Sequence, residues 1–383
     1  MNYLDLIKNY TYKHLSGRYI PLEKINPFLS ILNGNFKVKT EGFSVENRAI
    51  KTIEWGAGKK KILMWSQMHG NESTTTKALI DFLHLLNQQK ETFVAEWYNE
   101  FTFLIVPILN PDGAFKYTRV NANQVDLNRD SVNLTQPESK LLRKLFDEFN
   151  PDYAFNLHDQ RTIFGVGNSE KPATISFLAP AFDEMCSLNQ CREKAMKLII
   201  SMNQEIQKVI PGQVGRFDDG FNINCIGDYF QSRNVPTILF EAGHYPDDYE
   251  REKTREIVFL SYLVILDSIK EQKYLKNDTM DYMEIPENCK NYNDIALRNV
   301  IEPQTGEQYI VKAQYLEVLE DEEIKFCPVI VEIEKKETNF AHLVLAEQCV
   351  FLNSLSIKED KIGEKLEEVV DLSNIGVNYL LKK

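Results

Sequence analysis

The sequence predicts an α/β fold, a mixed and mostly parallel sheet flanked by helices, followed by a small C-terminal β-rich domain. Two observations carry the first part. Short apolar runs of strand length alternate with longer segments of helical spacing between residues 61 and 272. Polar residues capable of chemistry (His69, Asn110, His158 and Glu241) fall at the carboxyl ends of predicted strands, where sheets of this class gather their sites. The third observation is a change of period: beyond about residue 285 the pattern becomes short and strand-like.

Taken in order, residues 1–33 read as two short helices punctuated by Pro21 and Pro27. Alternation at Phe36-Lys37-Val38-Lys39 and at Ile50-Lys51-Thr52-Ile53 predicts a hairpin. Lys61–Trp65 is a buried strand, and Ser73–Lys90 carries Ala78, Leu79, Phe82, Leu83, Leu85 and Leu86 at helical spacing. Strands over 101–108, 153–158, 174–179 and 235–241 then alternate with helices over 137–149, 189–210 and 249–272. A polar stretch from 273 to 290 separates a first domain, 1–275, from a second, 285–383. The second holds strands around 308–311, 328–333 and 342–345 and no residue that connects to chemistry; His342 reads as an ordinary strand residue.

Composition narrows the function classes. The 383 residues hold 44 Lys plus Arg against 56 Asp plus Glu, a formal net charge of −12, which argues against a nucleic-acid surface. Six cysteines without a Cys-x-x-Cys pair read as reduced, packed thiols. Met1–Ile20 has no apolar signal core, and the run Ile257–Leu266 is too short to span a bilayer, so the chain reads as soluble and cytoplasmic, with no membrane partner.

The chemistry centres on Trp65-Ser66-Gln67-Met68-His69-Gly70-Asn71-Glu72, a strand-to-helix turn. An imidazole and a carboxylate three residues apart can grip one metal ion from one side, a pairing that suits zinc. Further pieces follow in order: Asn110-Pro111-Asp112-Gly113, Arg119, Asp126-Leu127-Asn128-Arg129, the strand-end Asn156-Leu157-His158, and the strand-end Phe240-Glu241. Together these six pieces, across roughly residues 40–270, resemble the zinc carboxypeptidases of the carboxypeptidase A superfamily, the funnelins.

The resemblance implies one zinc per chain, held by His69, Glu72 and His158, a donor set that leaves a fourth position open for water. It implies that Asp126 hydrogen-bonds a ligating histidine, fixing its tautomer. Glu241 matches the general base that takes a proton from the attacking water and returns one to the leaving amine. Arg119 resembles the arginine that stabilises the oxyanion. Asn128 and Arg129 resemble the pair that binds a terminal carboxylate, a task that suits the planar guanidinium fork. The expected substrate is a peptide or acylated amino acid with a free carboxylate.

Two departures stand out. Asn71 occupies a position where carboxypeptidase A-type enzymes often carry arginine. Where the family's mobile tyrosine is expected, the chain reads Arg216-Phe217-Asp218-Asp219-Gly220-Phe221-Asn222, which leaves only Phe217 or Phe221 to cap a substrate. The leading expectation is a zinc metallocarboxypeptidase acting on a C-terminal peptide or isopeptide bond. A related zinc deacylase of N-acyl amino acids, of the succinylglutamate desuccinylase/aspartoacylase type, is the alternative. Its His-Gly-Asn-Glu and Asn-Leu-His phrasing is shared here, whereas Asn110-Pro111-Asp112-Gly113 is carboxypeptidase-like. A non-catalytic binding module would have lost a ligand or Glu241, and neither is lost.

Overall fold

A computed structural model describes residues 2–352 and 361–373. The chain opens with α1 (Tyr3–Tyr10) and α2 (Leu22–Leu29), then the hairpin β1 (Phe36–Phe43) and β2 (Ala49–Gly56). Next come β3 (Lys60–Trp65), α3 (Thr74–Gln88), α4 (Thr92–Glu100), β4 (Phe101–Val106), α5 (Pro111–Lys116), α6 (Pro137–Phe149) and β5 (Tyr153–Asp159). They are followed by β6 (Phe164–Val166), β7 (Ile175–Leu178), α7 (Gln190–Ile206), β8 (Val214–Arg216), α8 (Ile226–Ser232), β9 (Thr237–Ala242) and α9 (Glu252–Lys270).

Eight strands form one mixed sheet in the order β1-β2-β4-β3-β5-β9-β7-β8. Its centre, β4-β3-β5-β9, is parallel, whereas β1, β2 and β7 meet their inner neighbours antiparallel. Both faces are covered, and the period of two explains how. Ile62 and Met64 of β3 join the core beneath α3, α7 and α9, while Leu63 and Trp65 join a second core beneath α6 and α8. Phe103 and Ile105 of β4 divide from Leu104 and Val106 in the same way. These central strands are mostly apolar at both parities because residues on both faces are buried.

The second sheet holds β11 (Tyr292–Ile301), β12 (Gln308–Glu320), β13 (Glu323–Glu334), β14 (Phe340–Leu345), β15 (Cys349–Phe351) and β16 (Val370–Asp371). It has its own core around Ile295, Leu297, Val311 and Ile330. It is docked on the first sheet's body, not tethered to it. β10 (Asn288–Lys290) pairs with β6, and Tyr19, Tyr117 and Tyr249 pack with Ile324 and Phe326. Buried Asp294 accepts from Tyr249 Oη at 2.9 Å and from Gln314 Nε2 at 2.7 Å.

Several elements escape the sequence pattern. Helix α5 starts at Pro111 and contains Gly113, both poor interior residues. It forms because Asn110 Oδ1 accepts the Gly113 N–H at 2.8 Å and caps it. Strand β11 is hidden by Asn293 and Asp294, polar residues that are nevertheless buried. None of the six cysteines is in a disulfide. Among the described residues, no helix is long and apolar enough to cross a membrane.

Candidate active site

The turn after β3 is held from three sides. Gln67 takes a left-handed conformation, φ 42°, and its Nε2 donates to the Ile20 and Gly70 carbonyls at 3.1 and 2.9 Å. A Cβ on Gly70 would stand 1.9 Å from the Gly113 carbonyl carbon, so only glycine lets this turn close on α5. Asn110 Nδ2 donates to the Met68 carbonyl at 3.3 Å. Asp112 accepts from Ser44 Oγ at 2.7 Å and from Arg48 Nη1 at 2.8 Å, tying α5 to the β1–β2 hairpin. The Asn110-Pro111-Asp112-Gly113 segment is thus a platform beneath His69.

On that platform His69 and Glu72 meet His158, which arrives on β5. His69 Nδ1 lies 2.8 Å from Glu72 Oε1, and His158 Nδ1 lies 2.7 Å from Glu72 Oε2 and 3.1 Å from His69 Nδ1. All three side chains are buried, and among the described residues they form the group suited to a metal ion. The donor chemistry fits a cation. His69 Nε2 is 3.0 Å from Asp126 Oδ1, an acceptor, which holds the ring proton on that nitrogen. The lone pair of His69 Nδ1 then faces a carboxylate oxygen across 2.8 Å, an arrangement that a shared cation relieves. Donors around tetrahedral zinc stand about 3.3 Å apart, given metal–ligand distances near 2.0–2.1 Å. The three atoms are already close to that spacing.

Electrostatics divide the group. Burial lowers both imidazoles' proton affinity, but Glu72 and Asp126 more than offset it at His69, which ends above its ordinary value. At His158 burial prevails over Glu72, and its value falls. Burial alone would raise Glu72 and Asp126; the two histidines hold Glu72 below the usual carboxylate range, and His69 with Arg119 does so for Asp126. Glu241 goes the other way, raised by burial and by the neighbouring charges of Glu72 and Asp159.

Glu241 stands on β9 directly opposite His158 of β5 in the parallel register. Residues so paired project from the same face of the sheet, and both line one cavity of about 450 Å³. Arg119, Asn128 and Arg129 line it too. Half-exposed Arg119 bridges Glu72 Oε1 at 3.2 Å and Asp126 Oδ2 at 3.1 Å. Asn128 Oδ1 accepts the Ile226 N–H at 2.9 Å, which leaves its Nδ2 as the available donor. Arg129 Nη1 donates to the Asn128 carbonyl at 2.7 Å and to Cys225 Sγ at 3.1 Å. All eight residues singled out in the sequence therefore gather at one place, with Asp126 behind His69.

Two lining groups lie outside the sequence reading, and a third, Asn156, has no role in it. Asp228 and Cys225 come from the start of the short helix α8, whose Gly227 conceals it. Burial pushes the Asp228 carboxyl up to about 7, against the backbone N–H groups of Asn222 and Ala181 and the charges of Arg192 and Arg129. Burial likewise pushes the Cys225 thiol up to about 11. Asn156 lines the cavity two residues before His158, at the spacing that returns a strand side chain to the same face. Of the two candidate caps, Phe217 lines the cavity and packs on Phe164 with ring centroids 5.5 Å apart.

Residues 33–179 match the zinc carboxypeptidase family model. Over 148 residues the chain is 27% identical to carboxypeptidase 2 of Trichophyton equinum, a match covering 36% of this chain and 26% of that protein. With a probable carboxypeptidase 2 of Arthroderma benhamiae it shares 31% over 101 residues, 26% of this chain and 19% of that one. The chain thus spans about a quarter or less of the curated relatives it matches. Among solved structures, a metallo-carboxypeptidase from Burkholderia cenocepacia superposes with a TM-score of 0.52 at 19% identity, covering 66% of this chain and 69% of that one. Carboxypeptidase A from Helicoverpa armigera superposes with a TM-score of 0.51 at 18% identity over 70% and 81% of the two chains. These likenesses establish the carboxypeptidase A-like fold. Through residues 33–179, which carry His69, Glu72 and His158, the chain is similar to the zinc carboxypeptidase family.

Proposed function

We propose that the protein is a zinc metallocarboxypeptidase that removes a C-terminal residue from a peptide or isopeptide. The observation that carries the reading is the register of His158 with Glu241, which sets a carboxylate beside the two-histidine, one-glutamate group inside a single cavity. His69, Glu72 and His158 would hold the metal, which when bound acidifies a water and polarises the scissile carbonyl.

The remaining work falls to the chain. Glu241 takes a proton from the attacking water and delivers it to the leaving nitrogen. Its buried setting favours holding that proton between the two transfers. Arg119, anchored on Glu72 and Asp126, offers N–H groups to the carbonyl oxygen as negative charge develops there. Asn128 Nδ2 and the Arg129 N–H groups other than Nη1 receive the substrate's terminal carboxylate. Asp126 keeps the proton on His69 Nε2, so that the Nδ1 lone pair would be free to hold a metal.

One observation favours a second reading, a deacylase of N-acyl amino acids: no tyrosine lines the cavity among the described residues, and Phe217 has no hydroxyl for a peptide's carboxylate. Assaying the zinc-loaded protein on free peptides, γ-glutamyl peptides and N-acyl amino acids separates the two. The carboxypeptidase reading expects peptides to be the better substrates. Good cleavage of N-acyl amino acids, with every peptide left intact, replaces it with the deacylase.

A further inference from the structure

A second cavity, of about 320 Å³, adjoins the first. The two share Glu72, Arg119, Asp159, Gln160 and Arg161, so one member of the candidate metal group, Glu72, stands at their junction. Asn128 and Arg129 line only the first. The outer wall of the second is the C-terminal sheet: Tyr315, Leu316 and Glu317 of β12 line it.

Its charges are uneven in commitment. The acids are occupied. Glu317 pairs with Arg18 at 3.2 Å and accepts from Tyr117 Oη, and Asp159 accepts the Thr74 and Thr75 N–H groups at 2.9 and 3.4 Å. The arginines are occupied only in part: Arg18 donates to the Tyr249 carbonyl and to Glu317, and Arg251 donates through both Nη groups to the Ala242 and Gln160 carbonyls. Arg18 and Arg251 are 5% and 2% exposed, and in each the Nε is buried without a hydrogen-bond partner. Exposed Arg161 has neither an ion pair nor a hydrogen bond among the described residues. The buried Asn71 Oδ1 also lacks a partner, and it offers an acceptor for a peptide N–H.

We infer that this chamber, completed by β12, receives the acyl side of the substrate and selects a residue there that carries a second carboxylate. The inference rests on the proposed carboxypeptidase reading, in which Asn128 and Arg129 hold the leaving residue. A chain crossing the metal-ligating group from them continues into the second cavity. A carboxylate arriving there meets unpaired guanidinium N–H groups, while the nearby acids are already satisfied. The C-terminal sheet thus acts as a specificity wall.

The test uses matched substrates that differ only in the residue preceding the scissile bond, N-acetyl-Glu-X against N-acetyl-Gln-X across several residues X. It is paired with NMR titration of N-acetyl-glutamyl amide against N-acetyl-glutaminyl amide. Both pairs are measured for the zinc-loaded wild type and for two variants at exposed positions, Arg161→Gln and Leu316→Glu. The expected result is a Glu preference of roughly tenfold or more in kcat/KM, with tighter binding of the glutamyl amide, as befits a charge-assisted contact. Arg161→Gln should lose most of both, and Leu316→Glu should abolish or invert them, with Gln substrates still cleaved. Equal cleavage and equal binding of the Glu and Gln forms would overturn the inference and leave the carboxypeptidase reading intact. Wild-type discrimination that persists undiminished in both variants would also overturn it. If no peptide is cleaved but the glutamyl amide binds selectively and loses that selectivity in the variants, the chamber stands and the carboxypeptidase reading fails.

Discussion

Glu241 and His158 face each other across β9 and β5, one residue of each strand in the same register position. Because the strands are buried on both faces, neither side chain can move away without shifting the sheet. A carboxyl group is thereby fixed beside the group suited to a metal ion, and the proposed function makes it the proton acceptor. Glu241→Gln keeps the shape and loses the base. It should retain zinc and substrate binding while kcat falls on the order of 10²–10⁴-fold. Near-normal kcat in a variant shown to be folded would remove Glu241 from the chemistry.

Metal content tests the triad itself. Elemental analysis of the purified protein should find about one zinc per chain, since one group of ligating residues is present among the described residues. Chelation should abolish turnover, and added zinc should restore it. His158→Ala should lose most of the metal, because Glu72 Oε2 and His69 Nδ1 cannot close the set alone. Full zinc occupancy in that variant would show that the third ligand is another residue.

Gly70 is predicted to matter for a reason that lies outside the chemistry. A methyl group there collides with the backbone of Gly113 and not with a side chain that could turn aside. Gly70→Ala should destabilise the protein by about 1–3 kcal/mol, as overpacking does, and should weaken zinc binding by displacing His69. An unchanged melting temperature together with unchanged zinc affinity would show that the two turns can separate freely.

Asp228 carries a pH signature. Its carboxyl is pushed by burial from an ordinary value near 3.8 to about 7, so the folded chain holds this proton more tightly than the unfolded one. The group costs nothing below pH 3.8, and the penalty grows as pH rises toward 7, then levels off. Asp228→Asn removes it. The variant should match the wild type near pH 4 and be the more stable at pH 8, by at most about 4 kcal/mol. Urea unfolding at the two pH values measures this, and a variant less stable than wild type at pH 8 contradicts it.

The sheet and the metal-ligating group were legible because both follow local rules. Buried parallel strands such as β3 and β5 are rich in apolar residues, His158 and Glu241 stand one residue before the ends of β5 and β9, and His69 follows β3 in the turn. What stayed hidden depends on contacts between distant segments. Helix α8 brings Asp228 and Cys225 to the cavity, but with seven residues and Gly227 it has no pattern of its own. The polar stretch before residue 290 reads as a connection, yet Asn288–Lys290 pairs with β6. The second cavity joins Arg18 and Glu317, 299 positions apart, a pairing that no spacing rule anticipates.

The proposed carboxypeptidase removes a residue bearing a free C-terminal carboxylate. Mass spectrometry of matched peptides, one ending in the acid and the other in the amide, tests it most directly. The acid should lose one C-terminal residue. The amide forfeits the charge-assisted contacts to Asn128 and Arg129, worth roughly 2–5 kcal/mol in a secluded site, so kcat/KM should fall about 30-fold or more. Arg129→Ala should erase most of that difference. Equal cleavage of acid and amide, or cleavage at internal bonds, would contradict the claim.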